Sequence, residues 1–433
     1  MPGSLLSFEV DRWEGRGQDP VSATLADLRI TLTTPSGEPI VLTEVHDDLV
    51  RSVRPFIVVS LYPLARWFIL NWWRLRWEPF RPTLDWRMTH SMAAVGEGTA
   101  WPPVEFASDG EFVQVTSMGE LSPDVAAIRY LRDVTLEIPG SDFERAIDDL
   151  IALLRGRLAS CRIADRDLDE LWEELQQERA DPRVARACRL QAEAGINPGE
   201  APDDWLAGAA RLEATTGSEG VAEVMAVLPG LGGITAAEER VAEIRRSPTS
   251  VDLSWAKPLP ASQRPELPWQ RGARLAQHVR DGLGLKKSQV LSRAEFADAF
   301  GVSLPLASTS ASPLNGAYRN GTGSGRVPAR VAARGVRGQR FALARLAGCA
   351  VASSASEHLL PVTNAQTALQ KMERAFAQEL LCPWEALNGF TDAHGVDDEG
   401  VWEAAEHFDV SEMVILTTLV NKKKISRDRL PSY

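Results

Sequence analysis

The chain has 433 residues, enough for two to four domains, and its formal net charge is −12. This acidity argues against nucleic acid as a partner of the whole chain. Its four cysteines are widely spaced and form no CxxC pair, so we expect neither a zinc ribbon nor a disulfide scaffold. The first residues do not read as a signal peptide, so we expect a cytoplasmic protein with reduced thiols.

Residues 1–140 are predicted to form a β-rich, tryptophan-rich domain. Two stretches of alternating apolar and polar residues surround the turn signals Pro-Ser-Gly at 35–37 and Ser-Asp-Gly at 108–110, a pattern typical of hairpins. Seven of the 13 tryptophans lie in the first 101 residues, which favours an aromatic core over a tryptophan-lined binding surface. Asp85, His90 and Asp109 are the polar candidates in this region.

A helix is predicted between these hairpins, from Asp47 to Trp77. Its part from Pro55 to Trp73 approaches the length of a membrane span. Pro63, Arg66 and Asn71 interrupt the apolar run, so a buried helix is the better interpretation and no membrane contact is expected.

Residues 141–247 are predicted to form a helical domain. Ser141 and Glu144 have the spacing of a capping box, and apolar residues recur behind them at helical intervals. Prolines then recur between 248 and 266, and we place a linker there.

Residues 267–433 are predicted to be mostly helical with a small sheet, with helices near 340–352 and 365–381. Unlike the rest of the chain, this part is basic, with 20 Lys and Arg against 16 Asp and Glu. The expected fold class of the whole chain is therefore α+β, with a β-rich N-terminal domain, a helical middle domain and a mostly helical C-terminal domain.

Three segments of this C-terminal part resemble the ImmA/IrrE family of bacterial zinc metallopeptidases. ARLAQHVRDGLGL and SRAEFADAFGVS are similar to its helical entry, RFALARLAG to its RFTLAHELGH-type helix, and ERAFAQELLCP to its EANxFAAELLMP-type helix. The resemblance covers about 165 residues and implies a zincin-like domain. In an active member, two histidines four residues apart and a third ligand hold zinc, and a glutamate is the general base.

Position by position, the resemblance places the two histidines at Arg345 and Cys349, the base at Leu346 and the third ligand at Met372. Arginine has no lone pair to offer a metal, leucine moves no proton, and methionine is a poor zinc ligand. Zinc is therefore expected to be lost, and we assign no metal and no catalytic residue. Apart from the resemblance, the apolar spacing of these two segments predicts two packed amphipathic helices without a chemical role.

Two further sets of residues are candidates in this domain. A vestigial cleft could be lined by polar side chains near the lost ligands, and a basic, Gly-rich stretch could bind an anion or nucleic acid. The possible cleft residues are His358, Lys371, Arg374 and Glu379. The possible anion-binding residues are Arg326, Arg330, Arg334, Arg337 and Arg340.

The first function hypothesis is a non-catalytic regulatory or interaction protein, a pseudo-peptidase with a protein partner. The resemblance implies a role in bacterial stress response, mobile-element control or phage defence. One alternative is a metal-dependent peptidase with a rearranged site that cleaves a repressor-like protein. Another is a DNA-binding regulator that uses a helix-turn-helix-like segment at 404–424, although its second helix is mostly apolar and favours core packing.

Overall fold

The structure is a computed structural model, and it describes residues 5–48, 51–119, 128–259, 266–307, 311–319 and 325–431. Its contacts divide the chain into two compact units, Met1–Pro202 and Asp203–Tyr433. The α+β class is confirmed, with a β-rich N-terminal region, small sheets and a mostly helical C-terminal part.

The first unit contains three small antiparallel sheets in its described residues. Its strands are β1 (Leu6–Trp13), β2 (Leu25–Thr33), β3 (Pro39–Val41), β4 (Val45–Asp47), β5 (Ser52–Arg54), β6 (Ile57–Ser60), β7 (Val104–Ser108), β8 (Phe112–Ser117), β9 (Ile128–Tyr130) and β10 (Val134–Pro139). β2 pairs with β1 on one side and with β3 and β6 on the other. β4 lies between β5 and β9, and β8 lies between β7 and β10.

The predicted hairpins are confirmed as β2–β3 and β7–β8. Gly37 and Gly110 have positive φ in the two turns, a conformation that glycine adopts without strain. Asp109, which was a polar candidate, has a structural role here. Its Oδ1 accepts hydrogen bonds from the backbone N–H groups of Glu111 (3.0 Å) and Phe112 (2.8 Å), which closes the β7–β8 turn.

Helices cover the sheets of the first unit. They are α1 (Pro20–Ala23), α2 (Leu61–Trp77), α3 (Leu84–His90), α4 (Gly140–Ser160), α5 (Arg166–Ala180) and α6 (Pro182–Glu193), with a 3₁₀ turn at Met92–Val95. The predicted helix at 47–77 begins later than expected. β5 and β6 precede it, since the β-branched run at 57–59 pairs with β2, and Ser60 caps α2 with its side chain.

The tryptophan-rich core is confirmed. Trp67, Trp72, Trp73, Trp86 and Trp101 are all buried, and the apolar face of α4 packs in the same core. The capping-box prediction was wrong, because α4 begins at Gly140 without a side-chain cap and the Glu144 carboxylate accepts a hydrogen bond from Arg76 instead.

The second unit begins with a helical group and continues with a sheet and further helices. Its helices are α7 (Asp203–Thr216), α8 (Ser218–Leu231), α9 (Ile234–Arg245), α10 (Pro268–Gly282), α11 (Arg293–Phe300), α12 (Gly335–Ala352), α13 (Ala368–Leu381), α14 (Trp384–His394), α15 (Asp398–Phe408) and α16 (Glu412–Asn421). A short 3₁₀ turn follows at Arg427–Arg429. Its strands are β11 (Ser250–Asp252), β12 (Leu314–Tyr318), β13 (Arg326–Arg330) and β14 (Leu359–Thr363), in the antiparallel order β11-β13-β12-β14.

The division into units differs from the predicted domains. Helices α4–α6 belong to the first unit and α7–α9 to the second, so the boundary between the units falls inside the predicted helical domain 141–247. The apolar face of α4 packs against the N-terminal sheets, which is why the helix stays with them. Within the predicted linker 248–266, β11 pairs with β13, and residues 260–265 lie outside the described part.

In the described part of the chain, no single helix combines the length and apolar character of a membrane span. α8 and α9 reach that length and composition only as a pair bent by 117°.

Candidate functional site

The candidate site lies where α12 and α13 cross at close range. Gly348 of α12 makes this approach possible, since a Cβ there would come within 2.9 Å of the Phe376 ring on α13. On its other side α13 packs against α10 just as closely, because a Cβ at Gly272 would lie 2.2 Å from the carbonyl oxygen of Met372. α13 therefore packs closely against both α12 and α10.

Arg345 of α12 projects into this crossing and is only 7% exposed. Its Nη2 donates hydrogen bonds to the carbonyl oxygen of Thr363 (2.5 Å) and to Oε1 of Gln370. The same nitrogen lies 3.6 Å from Oε2 of Glu373, a buried ion pair. Burial lowers the pKa of Arg345, and the nearby carboxylate of Glu373 opposes that shift.

Glu373 is the carboxylate of α13 that faces α12, and it is completely buried. Burial raises its pKa to about 8, although the charge of Arg345 acts in the opposite direction. Its Oε1 accepts a hydrogen bond from Nε2 of Gln370 at 3.3 Å, whereas Oε2 has no hydrogen-bond partner among the described residues. Glu373 therefore keeps its proton to a higher pH than an ordinary glutamate does.

Cys349, one turn after Arg345 on α12, faces the same carboxylate. The thiol is fully buried, its Sγ lies 3.6 Å from Oγ of Ser353, and burial together with the charge of Glu373 raises its pKa well above the usual value. The protonated thiol is a weak nucleophile and a weak metal ligand, because both roles require the thiolate.

Two further charged groups complete what we call the Arg345 cluster, consisting of Arg345, Cys349, Gln370, Glu373, Arg374 and Glu223. Glu223 of α8 is buried, and its Oε2 accepts a hydrogen bond from the Thr363 hydroxyl at 3.5 Å. Arg374 donates to the carbonyl oxygen of Ala365 at 2.8 Å, and burial lowers its pKa to about 10.

The structure brings together two of the four positions that carry the family resemblance. Arg345 and Cys349 both face the cluster, whereas Leu346 and Met372 lie in the hydrophobic core. Glu373, one residue after Met372, is the carboxylate that sequence reasoning did not select. The sequence did contain a signal for Glu373. It lies three residues before Phe376, and this spacing places it beside the apolar stripe of α13, on a face that is expected to be buried.

The four predicted cleft-lining residues lie in different surroundings and do not form one cleft wall. His358 stacks on Tyr318 with ring centroids 6.1 Å apart, and Glu379 accepts hydrogen bonds from Nε2 of Gln277 and the backbone N–H of Trp384. Neither side chain belongs to the Arg345 cluster. Lys371 is half-buried on α13, and Arg374 is the one predicted lining residue that we place in the cluster.

The predicted anion-binding arginines do not form one surface. Arg340 is fully buried and donates to Oδ2 (2.7 Å) and the carbonyl oxygen (2.6 Å) of Asp409. Arg337 also bonds Asp409, at 3.3 Å, and pairs with Glu406. These two guanidinium groups therefore hold the turn between α15 and α16 and are neutralised by acids of the chain itself.

The other three arginines of that stretch lie elsewhere. Arg326 donates to the carbonyl oxygens of Ser250 (3.2 Å) and Gly301 (3.0 Å), and Arg330 pairs with Glu243 at 3.5 Å. Arg334 is exposed at the start of α12. The internal partners of four of the five arginines disfavour the anion-site interpretation.

The helix-turn-helix-like segment consists of α15 and α16. Val414, Ile415 and Leu419 of α16 are buried, so its apolar face packs into the core as the pattern favoured. Of the lysines that follow, Lys422 lies over the Trp384 ring at 5.5 Å and Lys424 bonds Asp392 at 2.9 Å.

The first unit contains a second buried polar network, the Glu78 network of Arg74, Glu78, Arg81 and His90. Arg74 Nε and Arg81 Nη1 donate to the two oxygens of Glu78, at 2.7 and 3.2 Å. His90 is fully buried and stacked on Trp86, with its ring nitrogens 2.8 Å and 3.2 Å from the carbonyl oxygens of Trp86 and Arg74. Burial and the nearby Arg74 charge lower its pKa to about 3.

A cavity of about 330 Å³ adjoins the Arg345 cluster. It lies where β12 begins and where β13 and β14 end, beside the N-terminal half of α12. Its walls include Phe341, Leu346 and Val362, and its polar lining includes Asn315 and Arg345. A volume of this size is near the lower end for small-molecule sites.

The residues at the positions where the resemblance places zinc ligands do not fit zinc. Arg345 offers no lone pair, Met372 is a poor zinc ligand buried in the hydrophobic core, and the Cys349 thiol is buried in its protonated form. Within the described ranges, no group of three or more His, Cys, Asp or Glu side chains is arranged to hold a metal ion. Comparisons with protein-family models, curated proteins and solved structures gave no match.

Proposed function

We propose that this chain is a non-catalytic regulatory or interaction protein, a pseudo-peptidase related to the ImmA/IrrE family, acting in bacterial stress response, mobile-element control or phage defence. The observation that carries the proposal is the buried guanidinium of Arg345, paired with Glu373 at 3.6 Å where the resemblance places a zinc ligand. A fixed cation at this point repels a metal ion.

The chemistry of the neighbouring positions supports the same conclusion. Leu346 cannot accept the proton of an attacking water, and the Cys349 thiol has a raised pKa. The polar groups that remain therefore stabilise the crossing of two helices. Catalysis would require a different set of residues.

A protein partner fits this proposal better than a metabolite, because a peptidase-like scaffold that has lost hydrolysis can still bind a peptide. We place the protein in the cytoplasm, since the four cysteines Cys161, Cys188, Cys349 and Cys382 are all free thiols. Fractionation of cells that express the full chain would test the location.

Metal analysis of the purified full-length chain, together with a peptide-hydrolysis assay before and after chelation, tests the proposed function. We expect zinc far below one equivalent and no hydrolysis that a chelator removes. Cys349→Ala serves as the matched variant, because Cys349 is the one family ligand position that retains a potential metal donor. Near-stoichiometric zinc, lost together with hydrolytic activity in Cys349→Ala, would overturn the proposal in favour of a peptidase with a rearranged site.

A further inference from the structure

The cavity beside the Arg345 cluster has an unusual charge distribution. Among the described residues that line it, Arg345 has the only charged side chain. Apolar groups such as Phe341, Leu346 and Val362 form much of the wall, with the amides of Asn315 and Asn364 at its polar positions. A ligand that fills this space would meet one cation and a largely apolar surface.

The Arg345 guanidinium keeps hydrogen-bonding capacity that the described chain does not use. Its hydrogen bonds to Thr363 and Gln370 both come from Nη2, while Nε is buried without a partner among the described residues. Nη1 makes neither of these bonds. A ligand oxygen in the cavity that reached Nη1 would add a charge-assisted hydrogen bond.

The N-terminal end of α12, which carries the positive end of the helix dipole, lies beside the cavity. Arg334 occupies the N-cap position of this 18-residue helix, and its side chain accepts no hydrogen bond from the first N–H groups of the helix. Gly338 of the first turn lines the cavity, and a Cβ at this position would meet only the Ala333 side chain, at 3.4 Å. The missing side chain therefore leaves the cavity open near the helix end.

We propose that this cavity binds a carboxylate carried on an apolar group about the size of one amino-acid side chain. A guanidinium N–H donates a charge-assisted hydrogen bond to a carboxylate oxygen, and the apolar wall suits the group that carries the carboxylate. A dianionic phosphate would leave one charge uncompensated, since one side-chain cation lines the described cavity. The inference deepens the proposed function, on which it rests, by naming the chemistry through which a partner segment is held.

The carboxylate can come from a peptide C-terminus, an acidic side chain or a free acid, and the probes separate these sources. Binding to the full-length chain is measured by calorimetry for 3-phenylpropionate and its neutral amide. The same measurement covers an acetylated pentapeptide ending in phenylalanine with a free C-terminus, its C-terminal amide, and an amidated pentapeptide with an internal glutamate. We expect at least one acid to bind and its neutral counterpart to bind about tenfold to a hundredfold more weakly, the ratio expected for a charge-assisted hydrogen bond.

Two variants keep the result interpretable. Gly338→Leu fills the cavity without touching the Arg345 cluster and should abolish binding, whereas Gly338→Ala should bind like the wild type. Arg345→Gln combined with Glu373→Gln removes both buried charges together and should erase the preference for acids.

Equal binding of acids and amides, undiminished binding to Gly338→Leu, or no binding of any probe would overturn the inference. Measurement in excess chelator separates it from the proposed function. Acid binding that vanishes with chelator would indicate a bound metal, and it would contradict both.

Discussion

The two units each bury a network of charged side chains, and the networks differ in completeness. In the Glu78 network, Arg74, Glu78 and Arg81 have no buried polar atom without a hydrogen-bond partner among the described residues. In the Arg345 cluster, Nε of Arg345 and Oε2 of Glu373 both lack one. A buried network whose atoms are all paired stabilises a fold more than one with unpaired atoms, because each unpaired buried group costs its desolvation.

Removing the carboxylate of the Glu78 network should have the largest effect. Glu78→Ala removes the buried carboxylate that Arg74 and Arg81 share and leaves Arg74 only the exposed carboxylate of Asp85, so we expect the free energy of unfolding of the first unit to fall by about 3–5 kcal/mol. Urea unfolding followed by pulsed hydrogen exchange and mass spectrometry reads each unit separately. Asp85→Ala is the matched control, because Asp85 pairs with Arg74 from an exposed position and should cost below about 1 kcal/mol.

The corresponding change in the Arg345 cluster should cost less. Arg345→Leu leaves Glu373 without its cation, but a carboxyl whose pKa is already about 8 can take up a proton. We expect a loss of about 2–3 kcal/mol in the second unit, largely restored when Glu373→Leu is added. A loss as large as that of Glu78→Ala, unrelieved in the double variant, would show that the two networks are equivalent.

The two networks should also respond to pH in opposite directions. Glu373 has a raised pKa, so the folded state holds its proton more tightly and the stability of the second unit should fall as pH rises from about 4.5 to 8. His90 has a pKa lowered to about 3, so the first unit should lose stability as pH falls from about 6.5 to 3. Each slope has an upper bound of about 1.4 kcal/mol per pH unit.

Glu373→Gln and His90→Gln should flatten the respective slopes in the same urea experiment. A first unit that gains stability on acidification would contradict the assignment of His90. It would mean that the ring carries two protons and donates to the carbonyl oxygens of both Trp86 and Arg74.

The smallest effect concerns the cavity itself. Gly338→Ala should stabilise the second unit by about 0.5–1 kcal/mol, because alanine favours the helical conformation and the site has room for a Cβ. Gly156→Ala in α4 of the first unit is the matched control, since a Cβ there would meet nothing within 4 Å. Destabilisation at 338 alone would indicate that this part of α12 requires glycine for another reason.

Local patterns in the sequence were sufficient for several elements. The turn signals at 35–37 and 108–110 identified the two hairpins, and the tryptophan density identified the aromatic core. The start of α2 was missed because the run at 57–59 pairs with β2, a contact distant in sequence. The unit boundary was missed for the same reason, since the helical pattern of α4 does not reveal which core it joins.

The candidate site was predicted only in part. Arg345 and Cys349 were selected through the family resemblance, and helical spacing places them on one face of α12. Glu373 and Glu223 were not selected, because their role depends on how α13 and α8 are oriented against α12 and β14. The cavity was also beyond sequence reasoning, since it is formed by residues from two strands, a helix and the segments beside them.

Rebuilding a metal centre in the second unit tests the central claim most directly. If Arg345 and Cys349 stand at former ligand positions opposite Glu373, then Arg345→His, Leu346→Glu and Cys349→His together create two histidines one turn apart that face a carboxylate. We expect this triple variant to bind about one zinc ion per chain with the fold retained, and the wild type to bind none. A folded triple variant that binds no zinc, or a wild type that binds one equivalent, would contradict the account.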